Sequence, residues 1–476
     1  MASKFLDIDP GSYKDPAGQV FHYDKKVFRF VNSKESPLLS KFINSAVFID
    51  LVKNGDIVDT RISDLGHNKE IAAQFGEGII FEHQKIEFIS YPYEWSFSMC
   101  LDAAVLTLSL QRTLLENDLS LKDATPYNIQ FVNSKPIFID ICSIESISYN
   151  AVWIAYSQFC QMFLYPLLLY VYRGINPKNI YLANIEGVTL EDTYKIIGLK
   201  AKLNTRLFTN LVLPKLLATI FKKIQLIDEK ASTLTANLKN NKQVQVSIIR
   251  RLERLLKSLM DNKYSSHWST YENTNSYNDT SEKIKMEFIE SVFKKNNIKT
   301  VLDLGCNTGV YSKIAASYGT DVIAVDSDLD CIDKLYRQAH DNREHILPLC
   351  IDLSNPSPSI GWDNKERKSF LKRVQFDCVF SLALIHHLMI TGRHPLSQIV
   401  TTMSKMTKKY LIVEYIGPTD EMFKLLMLNR KENYNNYNLE YFRNKYLSSF
   451  NILAELPIAN MDRVLFLMEK KATKQC

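Results

Sequence analysis

Two carboxylates flank a short glycine turn in the last third of the chain. The apolar, β-branched run Lys299–Leu304 carries Asp303 near its end and leads into Gly305-Cys306-Asn307-Thr308-Gly309. Seventeen residues beyond Gly309, a second apolar run, Asp321–Val325, stops at Asp326. Glycines in such a turn let the backbone approach a ligand with no Cβ in the way, and a helix start behind it offers free N–H groups. An acid at the end of the next strand is placed to accept hydrogen bonds from ribose hydroxyls. The residue types therefore point to a bound nucleoside. A dinucleotide fingerprint, G-x-G-x-x-G, needs glycine where Asn307 stands, whereas the spacing here is D-x-G-x-x-x-G. Without the middle glycine a pyrophosphate loses its close backbone approach.

The elements that must position these groups follow from the surrounding pattern. Lys299–Leu304, the turn and the helix-like Val310–Tyr318 read as strand, loop and helix, the first βα unit of a doubly wound sheet. From Ser281 onward helical and strand-like segments alternate to the end of the chain. The turn Asp303–Gly309 is similar to motif I of class I S-adenosylmethionine (SAM) dependent methyltransferases, and the likeness continues downstream in order. Asp326, followed by Ser327, matches that family's ribose-binding acid. Ile346–Ile351 ends in Asp352-Leu353, matching the pair that holds the adenine amino group. Phe376–Leu382, with Ser381, matches the fourth strand, whose exit faces the methyl donor. Tyr410–Tyr415 reads as the fifth strand, and Ile452–Leu456 with Val464–Glu469 as the closing antiparallel pair. The resemblance implies an α/β fold with a Rossmann-like seven-stranded sheet. It assigns S-adenosyl-L-methionine to Asp303, Gly305, Cys306, Asn307, Gly309, Asp326, Ser327, Asp352, Leu353 and Ser381.

A sulfonium methyl is already electrophilic, so such an enzyme chiefly aligns a nucleophile with it. An alcohol nucleophile also needs a base. His386 and His387 follow the fourth strand and are the candidate catalytic groups, since imidazole titrates in a suitable range. Glu414, at the end of the fifth strand, is a second candidate by position. There is no N-P-P-Y or D-P-P-Y at the fourth strand exit. A small-molecule, sugar or lipid-linked glycan acceptor is favoured over a nucleobase or glutamine. The alternatives are a bifunctional kinase-methyltransferase and a SAM-binding protein without catalysis.

The first half carries a second constellation. Asp123 and Asn128 precede the strand-like Ile129–Val132, and a turn leads to Pro136-Ile137-Phe138-Ile139-Asp140. This resembles the catalytic and metal-binding loops of kinases. There Asp123 would be the base, while Asn128 and Asp140 would hold magnesium. The departures are plain: Leu121 stands where the histidine should be, and Ile-Cys follows Asp140 in place of Phe-Gly. No glycine-rich nucleotide loop and no V-A-I-K lysine stand upstream. The competing account is that these polar residues stabilise a loop.

With 476 residues, 46% hydrophobic and 23% charged, the chain is a folded globular protein of two or three units. We expect an α+β, degenerate kinase-like or acceptor-binding region over 1–190, a basic helical connector over 191–265, and the methyltransferase domain over 266–476. The net charge of +6 is unevenly placed: Lys195–Met260 holds fourteen Lys and Arg against three Asp and Glu. A solvated helical face accounts for that stretch better than a nucleic-acid partner does. Its last helix has an apolar stripe through Ile249, Leu252, Leu256 and Leu259. Eight scattered cysteines without a C-x-x-C pair argue against a zinc site and a disulfide framework, and no metal is expected. A reducing cytoplasm is the natural setting. Met162–Tyr172, the most apolar run, is too short to span a bilayer and reads as a buried helix. A hairpin is expected at Val20–Val31, one helix over Leu38–Val52 and another over Ser98–Glu116. Nothing in the sequence sets the oligomeric state.

Taken whole, the chain resembles a family of two-part bacterial methyltransferases related to a rhizobial nodulation methyltransferase. The resembling stretches are Ile89–Met99, Leu121–Glu145, Trp268–Tyr277 and Met422–Tyr437. Trp268 and Tyr277 would cover the cofactor as a lid.

Overall fold

The fold is taken from a computed structural model, which describes residues 6–67, 71, 74–147, 153–216, 242–260, 279–428, 430 and 434–472. Trp268, Tyr271 and Tyr277, with Asn429, Lys431 and Glu432, lie outside the described residues. The chain divides into two compact units. One comprises Met1–Val132, Pro136–Ser265 and Ser359–Arg367; the other comprises Asn133–Lys135, Ser266–Pro358 and Lys368–Cys476.

The first unit opens with a five-stranded antiparallel sheet: β1 (Asp7–Ile8), β2 (Gly18–Tyr23), β3 (Lys26–Asn32), β4 (Thr60–Ile62) and β5 (Gly78–His83), in the order β1-β2-β3-β5-β4. Asp24 and Lys25 join β2 to β3 with φ of 49° and 64°. That doubly left-handed turn matches the twist of the strands it connects. The expected single helix over Leu38–Val52 is instead two, Ser36–Ile43 and Ala46–Asn54. Ser45 breaks it by capping the second helix, its hydroxyl accepting from Phe48 N at 3.3 Å. The helix Phe97–Glu116 is started in the same way by Ser96. Four short strands follow: β6 (Leu119–Leu121), β7 (Ile129–Val132), β8 (Lys135–Phe138) and β9 (Ile144–Ser146), paired β6 with β9 and β7 with β8.

The apolar run Met162–Tyr172 lies in a buried helical path that continues to Arg173, where Gly174 closes it at φ 68°. Among the described residues no helix is long and apolar enough to cross a membrane. The expected connector is not a body of its own. Its helix Lys242–Met260 belongs to the first unit, where Glu253 pairs with Arg112 of the helix Phe97–Glu116 at 3.2 Å. The apolar stripe is the cause, because Ile249, Leu252, Leu256 and Leu259 are all buried.

In the second unit the alternating pattern yields seven strands: β10 (Thr300–Leu304), β11 (Asp321–Asp326), β12 (Ile346–Cys350), β13 (Phe376–Ser381), β14 (Thr407–Ile416), β15 (Phe450–Pro457) and β16 (Arg463–Lys470). Their order is β12-β11-β10-β13-β14-β16-β15, parallel except where β16 runs antiparallel to both neighbours. The order reverses at β10, between β11 and β13. In open α/β sheets that switch point is where ligands bind, beyond the carboxyl ends of the strands. The core beneath it includes Val301, Val322, Ala324, Ile332, Leu335 and Phe380. Replacing Leu335 alone by alanine would cost about 2–5 kcal/mol.

Candidate active site

The glycine turn occupies the carboxyl end of β10. Gly305 and Gly309 have φ of 72° and 79°, so both need the conformational freedom of glycine. A Cβ on Gly309 would lie 2.5 Å from Leu335 Cδ1, and one on Gly305 would lie 3.2 Å from Leu384 Cδ1. The second contact places the segment after β13 directly against the turn. Strand register agrees, pairing Leu304 with Ser381.

Asp326 ends β11 and fastens the turn. Its Oδ2 accepts from Asn307 N and its Oδ1 from Asp328 N, each at 2.9 Å. A carboxylate has about four acceptor positions, so capacity remains for a further donor. Burial raises this carboxyl above its usual range, against the opposing pull of those backbone donors. Asp352, two residues past the end of β12, accepts Ser354 N at 2.8 Å. Asn307 is exposed and left-handed at φ 50°, its side chain accepting Thr308 N. Leu353 is half-buried and Ser327 exposed. The residues present fit a nucleoside: a turn without side-chain bulk, a spare carboxylate, and an acid after the neighbouring strand.

Two assigned residues turn their side chains into the core. Asp303 is only 2% exposed and its carboxylate accepts from Ser312 Oγ at 2.6 Å, so it ties strand to helix inside the core. Cys306 is buried in the apolar core, where burial holds its thiol well above the ordinary range; only its backbone serves the turn, donating to Val325 O at 3.1 Å. Asp303 lies in a strand buried on both faces, and Cys306 sits in the turn just beyond it with its side chain in the core.

Burial pushes the Asp303 carboxyl up to about 7, with the Ser312 hydrogen bond opposing it. Between roughly pH 4 and that value the folded chain keeps a proton that an unfolded carboxyl, with a pKa of about 3.9, releases. This group therefore lowers stability as pH rises through that window. Asp303→Asn keeps an acceptor for Ser312 without the charge. It should melt several degrees above wild type at pH 8, with a smaller gap at pH 5; equal melting temperatures at both would refute the assignment.

At the end of β13, Ser381 Oγ is buried with no hydrogen-bond partner among the described residues. His386 is 2% exposed, and neither ring nitrogen has a hydrogen-bond partner among the described residues. Burial holds its pKa down to about 3, helped by His387 and Arg463. His387 is exposed, its ring centroid 4.2 Å from that of His386. Glu414 is fully buried and ion-paired to Lys285 at 2.6 Å. It is no free base. Lys285 and Arg463 were missed by spacing, because each reaches the strand ends from a distant element.

In the first unit Asp140 pairs with a residue that the motif did not include, while Asn128 reaches it through Ser143 and Asp123 feels its charge. Arg29, on β3, contacts Asp140 Oδ1 at 2.5 Å and Asp15 Oδ2 at 3.2 Å. Asp140 Oδ2 accepts from Ser143 Oγ, which in turn accepts from Asn128 Nδ2 at 3.0 Å. Burial alone would push the Asp140 carboxyl up; Arg29 and Ser143 together outweigh it and hold it low. Asp123 is raised by burial and then by the Asp140 charge. Asp15, Asp140 and Cys142 bring their donor atoms within 4.8 Å of one another, and the Arg29 guanidinium supplies positive charge there.

The sheet order β12-β11-β10-β13-β14-β16-β15, a glycine turn at its switch point and an acid closing β11 give the second unit a Rossmann-like fold with a candidate nucleoside site. No family profile matches the chain. Nodulation protein NoeA of Rhizobium meliloti (strain 1021) is 32% identical over 466 residues, 97% of this chain and 95% of its own length. The chain belongs to the NoeA family of nodulation proteins. Solved structures show weaker likeness. The N-methyltransferase NodS of Bradyrhizobium japonicum WM9, in complex with S-adenosyl-L-homocysteine, matches 44% of this chain and 94% of its own at 11% identity and TM-score 0.32. The bifunctional kinase-methyltransferase WbdD matches 43% of this chain and 42% of its own at 13% identity and TM-score 0.29.

Proposed function

We propose that this protein transfers a methyl group from SAM to an oxygen or nitrogen of a small molecule, a sugar or a lipid-linked glycan. The observation that carries the reading is Asp326, whose carboxylate secures the glycine turn and the next helix start while keeping acceptor capacity for a ribose. Asp352 and Leu353 would border the adenine. Bound SAM would supply an electrophilic sulfonium methyl. The chain's own residues then have to align the nucleophile and handle its proton.

His386 suits the first task. Kept neutral by burial, it offers one donor and one acceptor nitrogen to an acceptor hydroxyl. His387, exposed beside it, would pass the proton to solvent. The His386 contribution should not vary between pH 5 and 9, because its titration lies near 3. His386→Gln should reduce methyl transfer by roughly tenfold, the worth of one hydrogen bond. The deciding experiment incubates the protein and labelled SAM with cell extract and identifies the labelled product by mass spectrometry. Tight SAM binding without any labelled product would favour a binding protein that has lost catalysis.

A second reading, phosphoryl transfer by the first unit, is favoured by the convergence of Asp123, Asn128 and Asp140. Magnesium-dependent ATP turnover lost in Asp140→Ala would support it, and absence of ATP binding would end it. The basic helices would indicate a nucleic-acid substrate only if salt-dependent RNA binding appeared.

A further inference from the structure

The second unit buries four charges beside its strand ends. Lys285, from the helix Asp279–Lys295 that leads into the sheet, is 1% exposed, and Glu414 on β14 is 0% exposed. Their charged atoms lie 2.6 Å apart. Arg463, at the start of β16, reaches Glu414 at 3.6 Å and holds Asp420 through two hydrogen bonds of 2.7 and 3.0 Å. Asp420 in turn caps the helix Glu421–Met427 by accepting Met422 N at 2.9 Å. Four separate elements thus meet in one ionic cluster.

The remaining oxygen of Glu414 has another use. It accepts the backbone N–H of Ala383 at 2.9 Å. Ala383 has φ 49°, a left-handed conformation that an L-residue with a Cβ adopts only when its surroundings impose it. Register explains the reach: Ser381 pairs with Val413, so Glu414 stands level with the first residues beyond β13. Three residues after Ala383 comes His386, buried with both ring nitrogens unpartnered among the described residues. The groups facing that ring are His387 from its own segment, Arg463 from β16, Asp420 from the helix cap and Lys285 from the leading helix.

Stability gives weak reason for such a cluster. Burying paired charges costs desolvation that their attraction only partly offsets, and apolar residues of similar volume often serve as well or better. What an apolar pair cannot do is accept the Ala383 N–H. We propose that Lys285 and Glu414 are a positioning pair, which holds the segment after β13 in its left-handed turn and thereby aims the His386 ring at the methyl acceptor. This rests on the methyltransferase reading of the same site.

The test uses the full chain with 15N-labelled histidine, wild type beside Glu414→Gln and the double variant Lys285→Met/Glu414→Leu. Three readouts are compared: affinity for S-adenosyl-L-homocysteine by calorimetry, the His386 ring signals by NMR, and methyl incorporation from labelled SAM into cell extract. His386→Gln identifies the ring signals. The double variant is the informative one, since an apolar pair should preserve the fold. Expected is near-normal homocysteine-analogue affinity, displaced His386 signals and at least a tenfold loss of incorporation in both variants. Unchanged His386 signals in both variants, or wild-type incorporation in the folded double variant, would overturn the proposal. Failure of wild type to bind S-adenosyl-L-homocysteine would instead count against the methyltransferase reading, and the ring signals would still judge the pair.

Discussion

Asp326→Ala is expected to weaken binding of S-adenosyl-L-homocysteine by a hundredfold or more. Two hydroxyls donating to one carboxylate make charge-assisted bonds worth roughly 1.5–3 kcal/mol each, and 2.7 kcal/mol is already about a hundredfold. The same substitution frees Asn307 N and Asp328 N, which now donate to that carboxylate. The turn therefore loosens as well as losing its charge. Asp326→Asn separates the two effects, because its carbonyl oxygen can keep one backbone donor. It should recover part of the melting temperature but little of the affinity. Calorimetry with all three proteins checks this, and an alanine variant that binds like wild type would remove the basis for the functional reading.

Gly309→Val should lower the melting temperature by roughly 5–15 °C and abolish detectable cofactor binding. A side chain at φ 79° carries about 1–2 kcal/mol of backbone strain. Its Cβ would also stand 2.5 Å from the buried Leu335, and overpacking of that kind costs typically 1–3 kcal/mol. Relief can come only by moving the start of the helix Val310–Ser317 or the helix Leu329–Asn342, and both border the nucleoside site. Gly319→Ala is the control. Gly319 is also left-handed, at φ 74°, but nothing lies within 4 Å of its would-be Cβ. It should lose only the strain component, so equal losses in both variants would contradict the packing argument.

The second unit was largely legible because its signals are local. Glycines at fixed offsets, β-branched runs and acids at strand ends all lie within a few residues of the turn they shape. For Asp303 and Cys306 the motif gives the residue but not the direction of its side chain, which is inward in both. Lys285 escaped for the opposite reason. It stands in the buried helical phase of Ser281, Ile289 and Val292, an apolar position where a lysine is conspicuous. Its partner, however, is 129 positions away in sequence, at Glu414. In the first unit the kinase pattern asks for a lysine, whereas the cation that reaches Asp140 is Arg29 on β3. Pairings across elements of this kind leave no periodic trace. The split of Leu38–Val52 into two helices shows the converse, since Ser45 was visible in the sequence but read as one more helical position.

Asp326 clasps two loops through their amides. A receptor shaped this way has little chain left to freeze when its guest docks, so the ordering entropy is lost during folding rather than at the encounter. Small fragments such as adenosine should then dock enthalpically and quickly, without waiting for the backbone to rearrange.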